Sequence, residues 1–435
     1  MNTKSNSNFR KYIIFWFSQS VSQLGSAMTG NALVLWAFSK TESAMSMSLM
    51  AFCNYVPYIL VSLFAGSFVD RHSKKKVMLA SDSVAAVCSL AVILLWNLGS
   101  LQIIHIYIVN AIIGFMNAFQ QPASAVAVGR LVPQEEMGRI SGLNSFSSNL
   151  ITVFAPIIAA TVFAFGGIEI VLTIDFVTFL FAFFVLLFVI KIPEIFENKE
   201  KEAVFAGCKE GFAFLFQNKG LWYIVVTMAV INFLSRLTYE NILSPMILFR
   251  SGNNSIAYGI VNAAIGVGGI AGGLLVSIGK LPKDRVKTMY GAAAISFLLG
   301  DLTMGLGRNF YFWSFAGIAA SLPIPFIMAA QNVILYEKIP TTIQGRVFAV
   351  RNAVQFGTIP VAILLGGFLA EYVFEPFVQS ENAVAKMIQT LVGTGNGSGM
   401  AAMFLCTGII GSLFSLIISR RKEMDELRYQ KKLEQ

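Results

Sequence analysis

The sequence predicts an all-α protein that crosses a membrane twelve times, and three observations carry that expectation. Of its 435 residues, 56% are hydrophobic and only 13% charged, more apolar surface than a soluble fold can hide. The apolar runs reach about 20 residues or more, the length a helix needs to cross about 30 Å of hydrocarbon. Strands of a membrane barrel would instead be about ten residues long with alternating polarity. The third observation is the placement of charge: with the N-terminus inside and spans alternating, 27 of the 32 lysines and arginines fall in inner segments. Lys40, Arg250, Arg308 and Lys386 fall outside, and Arg236 lies within a span. The positive-inside rule then predicts that both termini are cytoplasmic.

In order, the spans are expected at 12–39, 43–69, 77–99, 103–129, 140–167, 168–190, 220–249, 256–279, 286–307, 309–336, 347–370 and 399–419. The first is too long for a signal-peptide core and lacks a small-residue cleavage site, so it is read as retained. It carries Gln19, Gln23, Ser26 and Gly30 along one helical face, flanked by Ser18, Ser22, Gly25 and Thr29. Such a stripe serves close helix packing or a wetted cavity, and Gln19 and Gln23 are assigned to the cavity because amides at that depth need partners. The fourth span carries Asn117, Gln120 and Gln121 beside Pro122, and the tenth carries Pro323, Pro325, Gln331 and Asn332. Prolines within spans free backbone carbonyls that neighbours or water must satisfy. Before the last span, an outer insertion at 371–398 places Val384, Met387, Ile388 and Leu391 on one helical face, as expected of a segment lying on the membrane surface.

The longest charged interruption, between the sixth and seventh spans, divides the chain. It gives an N-terminal six-helix half at 1–191, a cytoplasmic linker at 192–219, a C-terminal half at 220–420 and a tail at 421–435. "LVPQEEMGRISGLNS" in the first half and "KIPTTIQGRVFAVRN" in the second share P-x4-G-R, laying Pro133, Gly138 and Arg139 on Pro340, Gly345 and Arg346. The same offset lays Gly66 on Gly273, so the halves read as one duplicated unit. Charge is spread along the chain rather than gathered on one face, which speaks against a nucleic-acid partner. Cys53, Cys88 and Cys406 lie in spans and Cys208 in the linker, with no pair placed for a disulfide, and two histidines without metal-ligand spacing suggest no metal site. No phosphate-binding G-x-x-x-x-G-K-[ST] loop occurs, so no cofactor and no nucleotide-driven motor is expected. A membrane enzyme would need a nucleophile–base pair or a metal cluster, and the sequence offers neither.

The loop "GSFVDRHSKKKV" resembles the signature G-x-x-x-D-R-x-G-R-[RK] of the major facilitator superfamily. Gly66, Asp70 and Arg71 match; Ser73 stands at the family's glycine, and Lys74 and Lys75 at its two basic positions. With the two P-x4-G-R segments, the whole chain resembles the branch that holds macrolide-efflux proteins and the enterobactin exporter. The resemblance implies two six-helix halves working by alternating access, with helices one, four, seven and ten around a central cavity. It implies a cytoplasmic gate at Gly66, Asp70, Arg71 and Lys74, meeting Arg139 and Arg346. It also implies a transporter of the cell membrane, expected as a monomer, exporting drug-, macrolide- or siderophore-like molecules. The corresponding loop of the second half keeps Gly273 and basic residues but has no Asp-Arg pair, so the two gates are expected to differ.

Arg236 interrupts the seventh span, "VVTMAVINFLSRLTYENILSPMILF", about 21 Å from its inner end near Trp222 at about 1.5 Å per residue. Glu240, one turn on, can meet it; Asn232 and Tyr239 can add hydrogen bonds, and Asp175 of the sixth span is a second candidate partner. One reading is a static ion pair. The other is a cavity-facing pair in which Glu240 exchanges protons between sides, with Asn232 and Gln331 contacting the substrate. The leading expectation is therefore a proton-coupled efflux transporter. A lysophospholipid flippase is an alternative within transport, and a non-transporting receptor or scaffold is one of another class, which would have no need of buried charges or duplicated gates.

Overall fold

The computed structural model describes residues 3–131, 137–190, 192, 204–279, 282–340 and 343–428, with side chains described from Tyr12 onward except at a few helical positions. It is all-helical in these residues and forms two compact units, 1–42 with 49–198 and 43–48 with 199–435.

The first unit holds α1 (Thr3–Thr41), α2 (Ala44–Arg71), α3 (Lys74–Asn97), α4 (Ile103–Leu131) and α5 (Met137–Phe184), the last running into a π-helical turn at Val185–Val189. The α5 rod is bent at Gly167, whose φ of 69° and ψ of −175° suit glycine alone and separate the two spans expected at 140–190. Ser73, where the family signature has glycine, is the N-cap of α3, its hydroxyl accepting from Lys76 N at 3.3 Å. Lys75 donates to Leu187 O at 2.9 Å and Ile190 O at 2.8 Å. It thus covers carbonyls that the end of α5 leaves open. The core joins Tyr12 and Phe15 of α1 to Met78, Ala123, Ala127 and Leu186.

The second unit begins with α6 (Val204–Gln217), which lies in the expected linker. It continues with α7 (Lys219–Tyr239), α8 (Leu243–Arg250), α9 (Ser255–Ile278), α10 (Arg285–Ile295) and, after a π turn at Ser296–Asp301, α11 (Leu302–Leu306). Then follow α12 (Phe310–Ser321), α13 (Ile324–Lys338), α14 (Gln344–Gly357) and α15 (Ile359–Phe368). A second π turn at Leu369–Phe374 leads to α16 (Glu375–Val378), α17 (Ala383–Val392) and α18 (Ser398–Ser419). Short polar residues between spans start the helices: Asn254 caps α9, Asp284 α10, Asn309 α12 and Asn382 α17. Gly268 and Gly272 set α9 against α12 and the turn after it. A Cβ on Gly272 would lie 2.1 Å from Leu322 O, whereas Gly273, the position matched by the repeat, meets open space.

The eleventh span extends beyond its expected end at 370, through Leu369–Phe374 to Val378. Its two glutamates serve helix termini: Glu371 accepts from Ser43 Oγ at 2.5 Å and Met45 N at 3.0 Å, and Glu375 from Met400 N at 3.3 Å, at the starts of α2 and α18. The insertion helix α17 turns Val384, Met387 and Leu391 outward. In the C-terminal segment Met424 is fully buried, and Arg428 holds Asp284 at 3.0 Å.

Ten stretches are long and apolar enough to cross a membrane, one of them the 44-residue Phe146–Val189 that Gly167 divides. That division makes eleven, and α1 stands where the sequence places the remaining span of the twelve expected. Outward faces are apolar, as a lipid surface requires: Phe188 is 73% and Ile278 86% exposed.

Candidate functional site: a cavity in the second unit

The second unit encloses a cavity of about 470 Å³, within the roughly 300–1,000 Å³ of small-molecule sites. Residues of α7, α9, α10, α12, α13, α14 and the Ser296–Asp301 turn line it. Met228, Ile231, Phe297, Met328 and Phe356 make much of it apolar, and its polar groups gather in two places.

The first is a break in the seventh span. Pro245 has no N–H for the Asn241 carbonyl and its ring crowds that oxygen, which distorts the helix at 240–242 although Ile242 N still bonds Thr238 O at 3.0 Å. α7 ends at Tyr239 and α8 begins at Leu243; Asn241, 2% exposed in the gap, donates to Ile363 O at 2.7 Å and to Ser48 Oγ. Glu240 is left at the C-terminal end of α7, with Arg236 one turn earlier, and the two form an ion pair. A cation there is also favoured by the helix dipole. Arg236 is 39% and Glu240 20% exposed, and both line the cavity. Asp301, 1% exposed, ends a π turn, a distortion frequent at functional sites. It accepts from Thr407 Oγ1 at 2.7 Å, and the Tyr239 hydroxyl faces it without reaching hydrogen-bond geometry.

The second group consists of Gln331 and Asn332 on α13 and Arg351 and Gln355 on α14. Arg351 donates through one edge to Asn352 Oδ1, at 3.1 and 2.8 Å, and through Nη1 to Asn332 Oδ1 at 3.1 Å. Its guanidinium lies 5.1 Å from the centre of the Phe348 ring.

Of the residues singled out from the sequence, Asn232, Arg236, Glu240 and Gln331 share this cavity. Gln19, Gln23, Asn117, Gln120 and Gln121 belong to the first unit. On α1 the two faces part: Ser18 and Gly25 are buried, Gly25 against Thr178 and Asp175, while Gln23 and Gly30 lie on the open face. Gln120 donates to Asp82 Oδ1 at 2.7 Å, Gln121 accepts from the Tyr58 hydroxyl at 2.9 Å, and Asn117 is exposed. Asp175, 5% exposed, accepts from Ser26 at 3.0 Å and Ser89 at 3.3 Å, both in its own unit. In the expected gate, Arg71 is exposed, Lys74 is buried, and Arg346 forms an ion pair with Glu210 of α6. Gly66 lies in α2 and Gly345 in α14, and the side chains of Asp70 and Arg139 are not among those described.

Sequence reasoning missed Asp301 and Gln355 and counted Arg351 only as an inner-face charge. Pro245 was the available signal for the break, and acids within apolar runs were the signal for Asp301 and Asp82.

The family description Major Facilitator Superfamily matches residues 15–362. The chain belongs to the major facilitator superfamily. It is thus a multi-pass membrane transporter of small molecules and not an enzyme. It is 25% identical to Macrolide efflux protein A of Streptococcus pyogenes, over 83% of this chain and 89% of that one. It is 26% identical to Multidrug efflux pump Tap of Mycolicibacterium fortuitum, over 79% and 87%. A bacterial homologue of the human lysosomal transporter Spinster shares the fold at a TM-score of 0.66 and 12% identity, covering 98% of this chain and 99% of that one.

Proposed function

We propose that this transporter exports hydrophobic or amphipathic small molecules across the cell membrane in exchange for protons, as a monomer with both termini cytoplasmic. Efflux is the function in the names of the relatives above. The observation that carries proton coupling is the Arg236–Glu240 pair, set on a cavity wall at a helix break rather than sealed in the protein. A proton delivered to Glu240 removes its charge and dissolves the pair, while Arg236 keeps its own charge. The gap at 240–242 is then a place where α8 can move relative to α7, and the two states of the pair bias the equilibrium between access states by their energy difference. Asn232 and Gln331 contact the substrate from this side, and Gln19, Gln23, Asn117, Gln120 and Gln121 are the contacts contributed by the first unit. Asp175 is a secondary candidate for proton transfer. Gly66, Asp70, Arg71, Lys74, Arg139 and Arg346 form the cytoplasmic gate.

Everted vesicles enriched in the protein should accumulate a fluorescent amphipathic drug when the interior is made acid, and a protonophore should abolish the accumulation. Accumulation that is indifferent to both the pH gradient and the protonophore would refute the exchange.

A further inference from the structure

We propose that the second polar group of the cavity is an oxyanion subsite built from Arg351, Gln331 and Gln355, and that the transported molecules carry a carboxylate or phosphate on an apolar body. This rests on reading the cavity as the substrate site.

Arg351 is a half-buried cation without an acidic partner among the described residues. Its three hydrogen bonds go to neutral amide oxygens, so two of its five N–H donors remain. The acids of the same cavity are engaged elsewhere, Glu240 by Arg236 and Asp301 by Thr407. They also stand at another depth. Gln331 and Arg351 are each seven residues, about 10 Å, from the ends of α13 and α14 that face their connecting loop. Counted from helix starts on that same side, Asp301 is about 24 Å in and Glu240 about 31 Å in. Both therefore lie about 14 Å or more deeper than Arg351, beyond the reach of a direct ion pair. A half-buried cation without a counter-ion carries a desolvation cost, and a bound anion would offset it.

The neighbouring amides point the same way. Gln331 is 7% and Gln355 5% exposed, both line the cavity, and the Nε2 donor of each is buried without a hydrogen-bond partner. Buried polar groups are seldom left so. Arg351 and Gln355 are four residues apart and share one face of α14. Turning either amide about its last bond is nearly isosteric and exchanges the places of Nε2 and Oε1. A carboxylate or phosphate has lone pairs enough for all three side chains, and a guanidinium edge can meet it in two parallel bonds. Asn332, bonded to Nη1, positions the guanidinium, and Met328 and Phe356 offer surface to the apolar body.

The test is equilibrium binding of three fluorescent probes to the full-length protein in phosphatidylcholine nanodiscs: dansyl-undecanoate, its methyl ester and its dimethylaminopropyl amide. The carboxylate should bind at least about tenfold tighter than the ester and the cationic amide. Arg351→Met should erase that preference while ester binding persists, which also shows that the variant is folded. Arg351→Lys should retain part of it, and Arg308→Met, at an exposed arginine outside the cavity lining, should leave it unchanged. Ester binding equal to carboxylate binding in the wild type, or an undiminished preference in Arg351→Met, would overturn the subsite alone. Failure of all three probes to bind would overturn it together with the reading of the cavity as the substrate site. No pH gradient is used, so a failure of proton exchange is seen separately. If adding phosphatidylglycerol suppresses the carboxylate preference, the oxyanion subsite stands and a lipid headgroup is one source of its anion.

Discussion

Asp175 in the first unit and Glu240 in the second are both carboxylates inside apolar spans, yet their surroundings differ. Asp175 is 5% exposed, accepts from hydroxyls on two other helices, and lies where α1 comes close through Gly25. Glu240 is 20% exposed, paired with a cation of its own helix, and placed where that helix stops beside a cavity. A carboxylate ringed by short, fixed donors holds helices together. One that is paired along its own helix beside an open wall is the one proposed here to take part in coupling. The difference lies in the neighbours, not in the residue type.

That contrast can be broken experimentally. Asp175→Ala should cause the largest loss of stability, about 1–3 kcal/mol, because it removes the buried acceptor that ties Ser26 of α1 and Ser89 of α3 to α5. Thermal melting in detergent measures it, and an altered pH profile of transport in this variant would move Asp175 to the functional class. Thr407→Val should cost about 1–2 kcal/mol by removing a donor from Asp301. If it also shifts the pH profile, Asp301 joins Glu240; if only the melt changes, it joins Asp175. Glu371→Gln tests a third kind of acid, one at a helix start, and should cost about 0.5–1 kcal/mol with transport intact. Glu240→Gln should change the melting midpoint least, by about 0–1 kcal/mol, since a partly exposed ion pair contributes little to stability. A large melting loss there would make the pair structural.

The spans were legible in the sequence because the bilayer demands long apolar runs. The Arg236–Glu240 pair was legible because both members lie on one helix at i and i+4, a spacing that fixes their meeting without tertiary knowledge. Asp301 was not, since its donor Thr407 comes from a helix about a hundred residues away, and neither was Arg351, whose place near a span end looked like an orientation signal. The eleventh span was cut short at Glu371 because a glutamate after an apolar run reads as solvent-facing. In the structure it accepts from the Met45 amide and the Ser43 hydroxyl at the start of α2, a role set by a distant helix start. The repeat pointed to Gly273, one residue away from the close contact at Gly272, because an internal match aligns positions but does not say which helical face is packed.

The most direct test of the coupling is to compare two modes of transport by Glu240→Gln in proteoliposomes. One is exchange of labelled for unlabelled substrate at equal pH on both sides; the other is substrate movement driven by an imposed pH gradient. The account predicts that exchange persists at a rate near that of the wild type, since the cavity is intact, while gradient-driven transport falls at least tenfold and loses its pH dependence. Gradient-driven transport with the wild-type pH dependence would contradict it, and would leave Arg236 and Glu240 as an ion pair that serves the fold alone.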